Sequence, residues 1–288
     1  MVESLKPIKI VNSLAEMTET SSSVRGRGQK IGLVPTMGYL HAGHQALIEE
    51  AARVCDFVIV SIFVNPLQFG PGEDLERYPR NIERDMEIAR QAGAGLLFVP
   101  AAADITPLDL MFSVDPGPLK DVLCGQYRPG HFEGVCTIVL KLLHVTRPDF
   151  AIFGWKDAQQ FVILRKMVQD LNVPVELAAL ETIREPDGLA LSSRNAYLNE
   201  DERGAAPAIS RELAAIRDAL LANPEQPVLP IIEQAKDDLN TLPGLRVQYI
   251  ELTTLNTLRP LAVAEPGNSL LAAAVFAGSA RLIDNVRF

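Results

Sequence analysis

Residues 58–64 read Val58-Ile59-Val60-Ser61-Ile62-Phe63-Val64. An apolar run this continuous, and only long enough for one strand, suits a strand buried on both faces of a parallel sheet. Outward from it the pattern repeats. Short apolar runs at 31–34, 57–63, 96–99, 150–153 and 175–180 alternate with helical stretches near 43–54, 81–92, 135–145 and 157–171. In the last of these, Phe161, Leu164, Val168 and Leu171 recur at spacings of three and four, which marks one apolar helix face. Strands alternating with helices of this length predict an α/β fold, a doubly wound, Rossmann-like parallel sheet.

Beyond about Glu185 the pattern changes. Helical stretches at 207–221 and 230–242 precede strand-like segments at 247–252, 269–276 and 281–286, the order expected of a smaller α+β domain with an antiparallel sheet. The boundary is expected within the polar stretch 182–195, which contains Pro186, Asp187 and Gly188, giving domains 1–184 and 185–288. Residues 20–30 read as a polar, basic connection before the first strand of the sheet.

The 288 residues carry 36 acidic against 27 basic side chains, a net charge of −9, which argues against a nucleic-acid partner. With 48% hydrophobic and 22% charged residues the chain is of globular rather than disordered composition. Cys55 and Cys136 lie in apolar periodic segments and read as small core residues, while Cys124 lies in a Gly-rich loop open to partial exposure. Three cysteines without a CxxC pair suit a reducing compartment. The first residues lack the apolar stretch of a signal peptide, and the longest apolar runs fall far short of the roughly 20 residues that span a bilayer. A cytoplasmic protein without a membrane partner is expected.

In an open parallel sheet, ligands bind beyond the carboxyl ends of the strands. The chain has neither a GxxxxGK[ST] loop nor a GxGxxG after a strand. The run at 31–34 instead leads through Pro35-Thr36-Met37-Gly38-Tyr39-Leu40 into His41-Ala42-Gly43-His44, which opens a helix. A helix N-terminus offers amide N–H groups and partial positive charge to a phosphate, Gly43 lets it approach the backbone, and His41 and His44 can both donate to it. Metal ligation and simple helix capping are the alternatives. The chain has only four histidines, too few obvious partners for the three or four ligands zinc usually takes.

Two more loops carry polar side chains at such positions. The run at 150–153 ends in Gly154-Trp155-Lys156-Asp157. Asp157 reads either as a helix N-cap or as an acceptor for ribose hydroxyls, and Lys156 as a point charge for phosphate. The stretch Leu191-Ser192-Ser193-Arg194 offers two hydroxyls and a guanidinium, a phosphate clamp or an exposed interdomain turn.

An HxGH loop followed about 150 residues later by Ser-Ser-Arg resembles the HIGH and KMSKS pair of the class I aminoacyl-tRNA synthetase-like nucleotidyltransferases. Within that group the stretches LVPTMGYLHAGH, VSIFVNPLQF, EDLERYPR, RPGHFEGVCTIVLKL, FGWKDAQQ, DGLALSSRNAYL and ARLIDN resemble the pantothenate synthetases, or pantoate–β-alanine ligases, in order across residues 31–285. The resemblance implies ATP-dependent condensation of pantoate with β-alanine through a pantoyl adenylate, with release of AMP and pyrophosphate and a requirement for Mg²⁺. It implies that Met37, Gly38, Tyr39, Leu40, His41, Ala42, Gly43 and His44 cradle ATP. It makes His44, with His41, Lys156 and Arg194, the groups that stabilise developing charge.

By the same resemblance Gly154 and Asp157 lie at the ribose, Ile183 beside adenine, and Lys156, Ser192, Ser193 and Arg194 at the phosphates, with Trp155 and Leu191 as further ATP-binding residues. Gln68 and Gln160 are pantoate ligands, Gln68 also neighbouring β-alanine, with Asn65, Tyr78 and Arg128 as further pocket members. No protein ligand is assigned to Mg²⁺, which should ride on the ATP phosphates. A C-terminal lid and a homodimer are family expectations. Trp155 stands where the family usually has glutamate, and is expected to alter the rim of the ATP pocket. Another HxGH adenylyltransferase is the alternative, though such enzymes lack the NPLQF, RPGHF and DGLALSSRN segments together.

Overall fold

The computed structural model describes residues 8–288. Among them the elements run β1 (Lys9–Val11), α1 (Leu14–Gly26), β2 (Ile31–Thr36), α2 (Ala42–Val54), β3 (Phe57–Ile62), α3 (Ile82–Gln91), β4 (Leu96–Phe98), α4 (Ala102–Ile105), α5 (Cys124–Tyr127), α6 (His131–Thr146), β5 (Phe150–Gly154) and α7 (Ala158–Asp170). They continue with β6 (Glu176–Leu180), α8 (Glu200–Ala205), α9 (Ala208–Ala222), α10 (Val228–Asn240), β7 (Leu245–Thr254), β8 (Ser269–Ala277) and β9 (Ala280–Arg287). Three 3-10 turns matter to the site: Pro66–Gln68, Trp155–Asp157 and Ser193–Tyr197. The chain divides into two compact units. The first runs through Lys120 and takes in Arg128–Trp155 and Ile163–Glu181; the second holds Asp121–Tyr127, Lys156–Val162 and Thr182–Phe288.

In the first unit β1 to β6 form a wholly parallel sheet in the order β1-β4-β3-β2-β5-β6. The expected continuous runs are its strands, and β2, β3 and β4 are almost entirely buried. One face packs Val34, Val58, Val60, Leu97 and Ile152 against Leu47, Ile48 and Ala51 of α2 and Ala89 of α3. On the other pleat of β2, Ile31 and Leu33 are fully buried where α1 and α6 adjoin the strand. Strand order advances outward from β2 in one direction and from β5 in the other, so the switch point lies between them. The loops leaving β2 and β5 flank the crevice that such a point creates.

Two N-terminal elements depart from the expectation. The polar connection assigned to residues 20–30 is largely helix α1, capped by Ser13 accepting from the Glu16 amide at 3.2 Å. Its inward stripe, Met17, Ser21 and Val24, keeps helical spacing, but a serine within it conceals the apolar period. The edge strand β1 pairs in parallel with β4.

The second unit contains the antiparallel sheet β7-β8-β9, with α10 packed on β7 and α9 on β8 and β9. Its core joins Ile209, Leu213, Ile216 and Leu220 of α9, Ile232 and Leu239 of α10, and Leu271, Ala273 and Val275 of β8.

In the first unit α6 seats against the 3-10 turn at Gly134, where a Cβ would overlap the Leu67 carbonyl and lie 2.8 Å from the Gln68 amide. Gly134→Ala is therefore expected to cost about 1–3 kcal/mol through overpacking. That corresponds to a fall in melting temperature on the order of 2–12 °C for a chain of this size. An unchanged melting temperature in a calorimetric scan would show that the helix does not depend on this close approach.

Candidate active site

The loop between β2 and α2 is held from three sides. Thr36 Oγ1 donates to the Ser61 carbonyl at 2.7 Å and accepts from the Gly38 amide at 3.2 Å. Gly38 has φ +85°, and a Cβ there would lie 3.0 Å from Ile62 Cγ2 and 3.1 Å from Asp85 Oδ2. Tyr39 also adopts positive φ, at 52°. The buried Asp85 carboxylate, reaching over from α3, accepts from the amides of Tyr39 at 2.8 Å and Leu40 at 2.6 Å. Arg84 stacks over the Tyr39 ring, 4.9 Å from its centroid.

This loop delivers His41 to the N-cap of α2. His41 Nδ1 accepts from the Gly43 amide at 3.1 Å, and His44 Nδ1 accepts from the His41 amide at 3.3 Å, a capping box built from two histidines. The ring centroids are 4.1 Å apart. A nitrogen that accepts from an amide cannot carry a proton, so each neutral ring holds its hydrogen on Nε2. The pair is thus preset as two N–H donors at a helix N-terminus, where an anion is favoured.

Across the mouth of the same sheet, the 3-10 turn Pro66–Gln68 follows β3. Asn65 caps it, accepting from the Leu67 amide at 3.0 Å and donating to Gln68 Oε1 at 3.0 Å and to the Gly134 carbonyl at 3.1 Å. Gln68 Nε2 donates to Met37 Sδ at 3.2 Å, bringing two predicted residues into contact. The Gln68 carbonyl accepts from Arg128 at 3.2 Å and from His131 Nδ1 at 2.8 Å. His131 Nε2 is then the acceptor for Arg128 at 3.0 Å. Arg128 forms a two-pronged pair with Glu73 at 2.8 and 2.6 Å. Burial alone would raise the Glu73 carboxyl, but the Arg128 guanidinium outweighs it and holds the group below its usual range. Tyr78 is buried, edge-on to Phe69 with centroids 6.1 Å apart.

Gly154 ends β5, and Trp155, which follows it, is buried with 3% of its surface exposed. The remaining predicted residues lie in the second unit. Lys156 Nζ is 3.5 Å from Asp157, and the Lys156 carbonyl accepts from Asn285 Nδ2 at 3.0 Å. Gln160 occupies the first turn of α7 and is partly exposed. The Leu191 amide donates to the Ile183 carbonyl at 3.0 Å. Ser192 Oγ caps the 3-10 turn Ser193–Tyr197 by accepting from the Arg194 amide at 3.2 Å. Ser192, Ser193 and Arg194 are all partly exposed.

The cysteines stand outside this chemistry. Burial pushes Cys55 up to about 11 and Cys136 up to about 12, so both remain thiols near neutrality. Cys124 is buried, not partly exposed, in short helix α5, its Sγ 3.1 Å from the Tyr249 hydroxyl. Asp85 escaped the sequence reading, and Glu73 and His131, though inside the quoted EDLERYPR and RPGHF stretches, were given no role there. Each serves backbone or another side chain distant in sequence, which a local motif does not reveal.

A helix capped by paired histidines, at the switch point of a parallel sheet, defines an α/β protein of the Rossmann-like class. The profile of the pantoate–β-alanine ligases matches residues 9–287, and the chain belongs to that family of ligases. It is 45% identical over 277 residues to a pantothenate synthetase of Thermoanaerobacter sp. (strain X514), covering 96% of this chain and 97% of that one. A pantothenate synthetase from Thermus thermophilus superposes with a TM-score of 0.89 at 42% identity, covering 97% and 99% of the two chains. The pantoate–β-alanine ligase of Francisella tularensis, solved with β-γ ATP and β-alanine, gives 0.78 at 33% identity over 97% of each chain.

The Glu73–Arg128 pair sets a pH signature. Because the folded-state carboxyl lies below its ordinary value of 4.5, its stabilising contribution is complete above that value and fades as pH falls through the folded-state value. Urea midpoints of the native protein and of Glu73→Gln should differ at pH 7 and converge below pH 4.5. A gap that stays constant across this range would show that Arg128 does not hold the carboxylate.

Proposed function

We propose that this chain condenses pantoate with β-alanine at the expense of ATP, through a pantoyl adenylate. Family membership over nearly the whole chain supports the substrates. The structural observation that carries the reading is the histidine capping box at the start of α2. With each Nδ1 occupied by a backbone amide, each neutral ring would offer an Nε2–H donor at a helix N-terminus, where a phosphate is favoured. In the first step a pantoate carboxylate oxygen attacks the α-phosphorus, the bond to the bridging oxygen of the β-phosphate breaks, and pyrophosphate leaves. In the second the β-alanine amine attacks the acyl carbon, the bond to AMP breaks, and the amine gives up a proton.

His44 and His41 would stabilise charge on the α-phosphate, and Lys156, Ser192, Ser193 and Arg194 would hold the phosphates and departing pyrophosphate. Gly154 and Asp157 would meet the ribose and Ile183 the adenine. Gln68 and Gln160 would bind pantoate through neutral amides, which orient a carboxylate without lowering its nucleophilicity. No side chain becomes a covalent nucleophile; catalysis is positioning and charge stabilisation in a site closed to water. The 185–288 domain would serve as the closing lid. Mg²⁺, which keeps several waters and takes few protein ligands, would ride on the ATP phosphates as part of the nucleotide substrate.

We also propose a homodimer. Leu108, Met111 and Phe112 stand 110%, 88% and 86% exposed on one short stretch, an apolar patch that a second copy would cover. Among the described residues no helix is long and apolar enough to cross a membrane. Three free cysteines fit a cytoplasmic setting.

ATP–pyrophosphate exchange with a panel of acids tests the reaction. Exchange should depend on pantoate, and His44→Ala should slow it by about 10²–10³-fold, the scale of losing one oxyanion-hole donor. Exchange with no acid, or a His44→Ala variant at native speed, overturns the reading. Sedimentation equilibrium should return a dimer that Met111→Asp combined with Phe112→Asp converts to monomer; a monomeric native protein refutes the dimer.

A further inference from the structure

Asp284 and Asn285, neighbours on β9, are buried polar residues that the reaction scheme leaves unused. Asp284 is 5% exposed, and a carboxylate so deeply placed needs a paired cation. It has one in Arg184, whose guanidinium donates to Oδ2 at 2.6 Å and to Oδ1 at 2.8 Å. The same guanidinium donates to the Gly188 carbonyl at 3.0 Å. Arg184 thereby ties β9 to a tight turn whose two arms pair at Arg184 and Ala190, and again where the Leu191 amide meets the Ile183 carbonyl. Asn195 Nδ2 then donates to the Ala190 carbonyl at 3.1 Å, linking this turn to the 3-10 turn that begins at Ser193. Hydrogen bonds therefore run from Asp284 to the segment carrying Ser192, Ser193 and Arg194. Asn285 makes a separate connection, donating to the Lys156 carbonyl at 3.0 Å. Successive side chains leave a strand on opposite faces, so two neighbours on one strand can hold two distant segments.

We propose that Asp284 and Asn285 are positioning residues for the nucleotide side of the reaction, Asp284 setting the 183–194 segment through Arg184 and Asn285 setting Lys156. This rests on the function proposed above. Neither residue touches substrate. They fix the backbone from which the phosphate-binding groups project, and a displacement of about 1 Å in such groups can cost on the order of 10²-fold in rate.

Pantoate-dependent exchange, measured per folded molecule, separates this role from plain stabilisation. Asp284→Asn should raise the KM for ATP and lower kcat by about 10–10²-fold while leaving the KM for pantoate unchanged. Asn285→Ala should raise the KM for ATP less strongly. Adding Asp284→Asn to Arg184→Gln should produce no further loss, because Asp284 acts through Arg184. A purely structural role lowers the melting temperature and the folded fraction but leaves kcat and both KM values of the folded molecules intact; that result overturns the proposal. Equal increases in both KM values overturn it as well. If Asp284→Asn does not fold, Arg184→Lys, which keeps the charge and loses the fork, replaces it with the same expectations. ATP titration of the native protein, followed by the fluorescence of Trp155, its single tryptophan, separates the two levels. A native protein that neither binds ATP nor exchanges overturns the function and this inference together. An active native protein with an indistinguishable Asp284→Asn variant overturns this inference alone.

Discussion

The Asp85 carboxylate, accepting from the amides of Tyr39 and Leu40, is the contact on which the site depends. The chain leaving β2 has only residues 37–41 in which to turn before α2 begins, and it does so with two successive positive φ values, at Gly38 and Tyr39. Such a turn points amides inward, and an unsatisfied buried amide costs about 1–3 kcal/mol. One carboxylate satisfies two of them. Asp85 is also a buried residue of α3, so the loop is tied to helix packing on the sheet rather than resting on its own short-range bonds. The position of His41 follows from that attachment.

Helix capping and phosphate binding are competing readings of HAGH in the sequence; the structure shows the capping, and the phosphate role belongs to the function proposed above. Both Nδ1 atoms are committed to backbone amides, which removes the freedom to tautomerise and leaves the ring hydrogen of each neutral histidine on Nε2. An aspartate or serine cap would satisfy the helix equally well but would offer no N–H to an anion. Histidine is the side chain that can accept with one atom and donate with another about 2 Å away in a rigid ring. The same division of labour governs His131, with the roles of its nitrogens reversed: Nδ1 donates to the Gln68 carbonyl and Nε2 accepts from Arg128.

The strands of the parallel sheet were legible because burial on both faces leaves runs such as 58–64 with scarcely a polar residue. The antiparallel sheet was legible from the closely spaced strands after two helices. Helix α1 was not, since Ser21 occupies a core position and breaks the apolar stripe. The motifs around both histidines, Gln68 and Ser192 are short local runs, which a single sequence displays whole. Asp85 acts on amides 45 and 46 residues away, and Asp284 on a guanidinium 100 residues away, distances over which a single sequence carries no signal.

Charge at the proposed pantoate pocket is arranged in the same indirect way. Arg128 lies beside Gln68, and a free guanidinium there would draw electron density from an attacking carboxylate. Its fork is closed on Glu73 at 2.6 and 2.8 Å, and its remaining donors go to the Gln68 carbonyl and His131. The pair therefore presents almost no net charge and acts as a brace for the 3-10 turn. The Gln68 amide itself is oriented by Asn65 and Met37. On the proposed reading, cationic groups would serve the phosphates, where charge accumulates during reaction, and neutral ones the nucleophile, whose charge must stay available. On that reading an acidic chain would bind two anions because the sign of the local field is set residue by residue and not by its net charge of −9.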